Sequence, residues 1–216
     1  MLIACWSPKG GSGTTVVSCG LALSLSRTAP TTIADLAGDV PATLGVADPA
    51  GPGLSDWVAA GPDVPGDALT RLAVRVADDL SILASGGRPE GRPRPGAGEA
   101  LAEALGRLEG KVVVDCGLLG SDVTTAVAAA ADVSLWVMQP CYLALRRAVA
   151  APLKPSGIIL VSQPERALTR REVEEVLGVP VRAEVAFDAS VARAVDAGLL
   201  SRRMPRSLER SLRAAA

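Results

Sequence analysis

Between the first apolar run and the first long apolar stretch the chain reads Ser7-Pro8-Lys9-Gly10-Gly11-Ser12-Gly13-Thr14-Thr15, three glycines in four residues behind a lysine and ahead of two hydroxyls. With no side chains in the way, backbone N–H groups of such a turn can converge. The stretch from Thr14 to Ser26 has helical length and aims a helix N-terminus at the same spot. That combination cradles an anion, a phosphate above all. The glycines also suit an ordinary strand–helix turn. A third reading is a dinucleotide fingerprint, in which Gly11 and Gly13 are followed after about twenty residues by Asp35 for a ribose contact. Val16, at the third glycine position of that fingerprint, opposes it, because close helix–strand packing there requires no side chain.

Two more carboxylates stand where an apolar run ends. Asp35 closes Ile33-Ala34-Asp35, with Asp39 shortly after, and Asp115 closes Val112-Val113-Val114-Asp115. An aspartate at the tip of a buried strand beside a phosphate loop suits Mg²⁺, a hard cation that keeps several waters and takes one or two carboxylates. The plainer readings are a solvated turn for Asp39 and a loop cap for Asp115. No histidine is present, which removes the commonest general base and the commonest metal ligand. Any hydrolysis would have to run on carboxylates and backbone.

The elements that position these residues follow from pattern. Short apolar runs at 1–6, 31–35, 80–84, 111–115, 133–138, 157–161 and 181–185 read as strands. Helical stretches are expected at 14–26, 55–60, 67–72, 97–109, 122–131, 141–151, 169–177 and 189–197, and a last one from near Pro205, a good first-turn proline. Residues 86–96 (GGRPEGRPRPG) read as a mobile-looking loop. The alternation predicts an α/β fold, one domain over 1–216, with a mostly parallel sheet covered by helices on both faces. Ligands of such sheets bind at the carboxyl ends of strands. The candidate positions are therefore 7–15, 35–39, 115–121, 139–141, 162–164 and 186–188.

Hydrophobic residues make up 49% of the chain but aromatics only 2%, so the core must be aliphatic. A formal net charge of −1 argues against a globally basic nucleic-acid binder. The four cysteines form no CxxC pair and read as buried apolar residues of a reducing compartment. No secretory signal is expected ahead of the first strand, and no apolar run reaches the ~18 residues of a membrane span, so a cytoplasmic protein is expected.

The run Lys9-Gly10-Gly11-Ser12-Gly13-Thr14-Thr15 resembles the deviant Walker A loop of the ParA/MinD-type P-loop ATPases, KGGxGK[ST]. The resemblance implies a P-loop NTPase-like fold that binds ATP and Mg²⁺. Lys9 would reach the phosphates of a partner protomer in an ATP-dependent homodimer, Gly10 to Thr15 would hold the phosphates, and Thr15 would coordinate Mg²⁺ with Asp35 and Asp115 nearby. Val112–Asp115 resembles the Walker B strand. The family's asparagine turn at the adenine falls on Ser162-Gln163-Pro164. Its late IPxD loop falls on Val185-Ala186-Phe187-Asp188, giving Gln163 and Asp188 as base-side residues.

Two departures stand at critical positions. The second lysine of the loop is Thr14, and the second aspartate of the family's DxD, which positions the attacking water, is Ala37. A lysine about 4 Å from a phosphate charge is worth roughly 4 kcal/mol at an effective dielectric near 20. Losing such a group costs an active site about a hundredfold in rate. Binding could survive on backbone and Mg²⁺, while hydrolysis is expected to be absent or slow unless Asp39 substitutes. Gly38-Asp39-Val40 through Leu44-Gly45-Val46 is similar to the pilus-assembly TadZ/CpaE branch, whose Walker motifs are atypical. The resemblance implies a positioning or assembly switch that recruits a partner protein. A scaffold that keeps the fold without a nucleotide is the rival. At the end of the chain Leu200, Met204, Leu208 and Leu212 share one helical face among five arginines. That pattern suits a helix packed on the domain, a membrane-surface helix as in MinD relatives, or non-specific DNA contact as in ParA relatives.

Overall fold

Apolar runs too short for helices pair into one sheet. In the computed structural model, which describes residues 1–87, 93–164, 167–213 and 215, the strands are β1 (Leu2–Ser7), β2 (Thr31–Asp35), β3 (Val74–Ala77), β4 (Leu80–Leu83), β5 (Lys111–Leu118), β6 (Val133–Met138), β7 (Gly157–Ser162) and β8 (Val181–Ala186). Their order is β3-β4-β2-β5-β1-β6-β7-β8. All neighbours are parallel except the edge pair β3 and β4. Helices α1 (Thr14–Leu25), α2 (Val40–Leu44), α3 (Leu54–Ala60), α4 (Gly66–Leu72), α5 (Ala97–Gly106), α6 (Asp122–Ala130), α7 (Tyr142–Val149), α8 (Arg170–Leu177), α9 (Ala189–Asp196) and α10 (Arg206–Leu212) connect them.

Period-two alternation on central strands feeds two cores. Ala4 and Trp6 of β1 face one layer with Leu101, Val127 and Leu145, while Ile3 and Cys5 face the other with Leu21, Leu44 and Leu208. The α/β fold with a mostly parallel sheet between helical layers is thus observed.

Two elements were absent from the sequence reading. β3 carries mostly exposed residues and forms only by antiparallel pairing with β4 across the Asp78-Asp79 turn. α2 is five residues long with Pro41 in its first turn, too short for any periodicity to register. β5 also runs beyond Asp115, because its pairing with β1 resumes at Trp6–Gly117 and Ser7–Leu118 after a bulge at Cys116. Of the expected 86–96 loop, 88–92 lie outside the described residues.

Close backbone approaches fix the layer that carries α1. α2 ends on Gly45 (φ 72), and a β-carbon there would stand 1.9 Å from the carbonyl oxygen of Gly198, in the turn after α9. A β-carbon on Gly20 of α1 would meet Leu212 at 2.8 Å and Leu208 at 3.0 Å, so the bare glycine lets α10 lie directly on α1. Leu200, Leu208 and Leu212 are buried there, and Arg202, Arg203, Arg206, Arg210 and Arg213 are exposed. Only Leu208 and Leu212 form the packed face of α10, while Leu200 and Met204, expected on the same helical face, lie in the turn segment before it. Glu209 accepts from Arg27 at 2.7 Å and from Arg213 at 2.9 Å. Among the described residues no helix is long and apolar enough to cross a membrane.

Replacing Leu212 by alanine should lower unfolding stability by about 2–4 kcal/mol, because it empties the space over Gly20. Arg210→Ala should stay within about 0.5 kcal/mol. Urea unfolding of the two variants against the parent checks the contrast, and equal effects would refute the packed-helix assignment.

Candidate functional site

Parallel pairing gathers the carboxyl ends of the strands along one edge, and the strand order decides which side chains meet there. In the doubly wound dinucleotide fold the first two strands are neighbours. Here β5 lies between β1 and β2. Asp35 therefore stands beside Asp115, to which it is directly paired in register, and away from a ribose position beside β1. This order removes the dinucleotide reading.

The loop between β1 and α1 is held from within. The hydroxyls of Ser7 and Ser12 lie 2.9 Å apart and both reach the Lys9 carbonyl, at 2.6 and 2.7 Å. Lys9 Nζ donates to the Gly10 carbonyl at 3.2 Å. Gly11 (φ 75) and Gly13 (φ 84) occupy the left-handed region, which a side chain resists. No side chain caps α1, so its first N–H groups remain for a ligand. A β-carbon added at Gly10, Gly11 or Gly13 would meet nothing within 4 Å, so the cradle opens onto free space. That space is a cavity of ≈ 600 Å³ whose walls include Thr14, Thr15, Ala37, Asp39, Cys116 and Ser121. Thr14 and Ala37, the two departures, both line it. So does Asp39, which is exposed.

Asp35 and Asp115 are each fully buried. Asp35 accepts from the backbone N–H groups of Ala37 (3.0 Å), Gly38 (2.6 Å) and Val40 (3.1 Å). Burial pushes its carboxyl above the ordinary value, these three donors pull it back, and the charge of Asp39 adds to the rise. Asp115 Oδ1 accepts from Gly117 N–H at 3.2 Å and Ser18 Oγ at 3.3 Å. Its Oδ2 has no hydrogen-bond partner among the described residues. Burial raises Asp115 to about 6, against the pull of the Thr15 hydroxyl and with a further push from Asp35. An unpartnered buried carboxylate oxygen is costly. Beside Thr15 and the cradle, it suits a hydrated divalent cation, so the residues present fit Mg²⁺.

A second cavity of ≈ 300 Å³ adjoins the first, since Gly13 and Val16 line both. Val161, Val185, Phe187, Val191 and Val195 make it apolar. Asp188 is also at its wall, but its carboxylate caps α9, accepting from Ser190 N–H at 2.7 Å and Ser207 Oγ at 2.5 Å. Those bonds hold it below the ordinary carboxylate range. Gln163 follows two residues after Val161, just beyond the end of β7. The sequence reading assigned no role to two residues here. Phe187, the only phenylalanine, is 59% exposed at the mouth of the apolar cavity. Gln139 donates from Nε2 to the Gly11 carbonyl at 3.2 Å. Scarcity of aromatics pointed to the first, and its place just after β6 pointed to the second.

No protein-family model and no curated protein matches the chain. Solved structures do. A ParA family ATPase from Chlorobium tepidum TLS superposes with a TM-score of 0.78 at 19% identity, over 98% of this chain and 95% of that one. The fold is that of the ParA and MinD ATPases. The septum site-determining protein MinD from Pyrococcus horikoshii OT3, complexed with Mg-ADP, gives a TM-score of 0.76 at 18% identity, covering 99% of this chain and 93% of its own. An ATP complex of McdA from Cyanothece with an aspartate-to-alanine substitution gives 0.73 at 16%, covering 99% and 95%. The likeness of fold thus spans nearly the whole chain.

Asp115 predicts a pH signature in metal-free protein. A carboxyl raised from 3.8 to about 6 by folding binds its proton more tightly in the folded chain. That contribution is full at low pH, is lost as pH rises through this window, and is constant above it. The shift corresponds to about 3 kcal/mol. Asp115→Asn should therefore gain stability over the parent as pH rises from about 4 to about 6, and hold that gain above. Chemical denaturation in a chelator at stepped pH measures it, and a pH-independent difference would refute the assignment.

Proposed function

We propose that this chain is an ATP- and Mg²⁺-binding switch of the ParA/MinD type, with absent or slow hydrolysis, that dimerises on binding ATP and recruits a partner protein for positioning or assembly. The observation that carries the proposal is the open glycine cradle at an uncapped helix start beside the unpartnered Asp115 Oδ2. Gly10, Gly11, Ser12, Gly13, Thr14 and Thr15 hold the phosphates, chiefly through backbone N–H groups. Thr15 with Asp35 and Asp115 holds Mg²⁺, which when bound neutralises phosphate charge. The apolar cavity takes the base, with Gln163 and Asp188 flanking it. Among the described residues Lys9 is bonded only to its own loop, and it serves the phosphates of a second copy. Nucleotides in the MinD and McdA structures of the same fold support this reading.

Thr14 is buried at the cavity wall, leaving the cradle without an ammonium group of its own at that position. Ala37 presents no carboxylate toward the same space. The loop that follows supports the TadZ/CpaE-like branch as the nearest functional type. We place the protein in the cytoplasm, with exposed arginines of the last helix as its contact to nucleoid DNA or an anionic membrane surface. A second reading, a genuine slow ATPase, is favoured by Asp39, which is exposed on the same cavity.

Titration calorimetry with ATP and Mg²⁺ should give saturable binding to the parent. Gly13→Val, checked for fold by circular dichroism, should give none, because a side chain would fill phosphate space. Unchanged affinity in the folded variant would remove the cradle as the anchor.

Phosphate release should be near background in the parent. If each missing group costs about a hundredfold, Thr14→Lys with Ala37→Asp should gain more than either single change, since both serve one transition state. Ordinary P-loop turnover by the parent would overturn the slow-hydrolysis reading, and loss of that turnover in Asp39→Ala would assign it to Asp39.

A further inference from the structure

The phosphate loop is braced from inside by Ser7, Ser12 and Lys9, which account for the carbonyls of Lys9 and Gly10. The Gly11 carbonyl is reached from outside the loop. Gln139, half-buried directly after β6, donates to it from Nε2 at 3.2 Å. β6 lies beside β1 in register, Trp136 opposite Trp6, so the donor stands on a rigid element. Gln139 is itself confined: its carbonyl accepts from the N–H of Cys141, the residue before α7, and the intervening Pro140 is buried.

Holding one carbonyl orients more than that carbonyl. The Gly11 oxygen and the Ser12 N–H belong to one planar trans peptide and point in opposite directions. Gly11 lies in the left-handed region at φ 75, where glycine has wide freedom, so its peptide is the unit most in need of an external constraint. We propose that Gln139 is a positioning residue of the phosphate loop: by donating to Gly11 it fixes the direction of the Ser12 N–H and presets the cradle before an anion arrives. Its effect on ligand affinity rests on the nucleotide-binding reading above, whereas its effect on the loop does not. No lysine at position 14 draws phosphate into place, so more of the affinity depends on backbone groups already aimed.

Two variants separate this from general packing. Gln139→Ala removes the donor, and Gln139→Glu keeps the shape but faces the carbonyl with an acceptor when ionised. In the nucleotide-free protein, amide hydrogen exchange over 8–14 should be faster in both at neutral pH, with the central strands unchanged. Affinity for ATP–Mg²⁺ and for tripolyphosphate–Mg²⁺ should fall roughly fivefold in Gln139→Ala, the scale of one net hydrogen bond, and further in Gln139→Glu. Lowering the pH from about 8 to about 4, through the ordinary glutamate value, protonates the side chain in a growing fraction of molecules so that it can donate, and its affinity ratio to the parent should narrow accordingly. Parent-like exchange in both variants, or a Gln139→Glu ratio flat with pH, overturns the proposal. If the parent binds neither probe, the nucleotide-binding reading fails, and the exchange rates alone decide the positioning role.

Discussion

Two carboxylates buried side by side at the tips of adjacent parallel strands are the constraint around which the molecule is arranged. Asp35 and Asp115 face each other in register with no exposure to solvent. Like charges so placed repel, and burial raises both above ordinary carboxylate behaviour. The loop after β2 answers for Asp35 by turning three backbone N–H groups onto it, which fixes residues 36–40 as a collar. Among the described residues Asp115 accepts hydrogen bonds on one oxygen only. The other is left beside Thr15 and the start of α1. Strand order is what makes the pair, because β5 sits between the strand that carries the phosphate loop and the strand that carries Asp35.

The site divides into zones of opposite character that share a wall. On one side, N–H donors and the positive end of a twelve-residue helix favour negative charge. On the other, carboxylates favour a cation that bridges them to that charge. The apolar cavity opens from the same Gly13 and Val16. A ligand with a charged, metal-binding end and a flat apolar end satisfies all three zones at once, and a simple anion satisfies only the first. Thr14 and Ala37 line the same cavity and bring neither an ammonium nor a carboxylate to it.

The glycine run, the strand-end aspartates and the βα alternation were legible because each has a local cause: missing side chains, apolar runs of strand length, caps and turns. β2, β5 and β6 begin where their patterns begin. β3 was not legible, because its residues are exposed and only pairing with β4 makes it a strand. Nor was α2, whose stability comes from Val40 and Leu44 packing into the core rather than from its own five residues. Asp188 shows the same limit at the site. It stands at the wall of the apolar cavity just after β8, and the bonds its carboxylate makes to Ser190 and Ser207, one nearby and one on the last helix, follow only from the folded arrangement. Gln139 falls within the strand-end positions expected to matter, but its bond was not legible, since its partner lies far away in the chain and the bond exists only because β6 runs beside β1.

The contact between Gly45 and Gly198 has a mechanical meaning. α2 is tied at its start by the Val40 N–H on Asp35 and at its end by the Leu44 carbonyl, 3.4 Å from the N–H of Ser201. Its terminal glycine rests on the backbone of Gly198 with no room for a single methyl group between them. A helix of five residues fastened at both ends acts as a strut. The collar around Asp35 therefore has no slack of its own, and displacing it presses on the turn that ends α9, the helix whose Val191 and Val195 wall the apolar cavity. The charged and apolar halves of the site are thus joined by stiffness as well as by proximity.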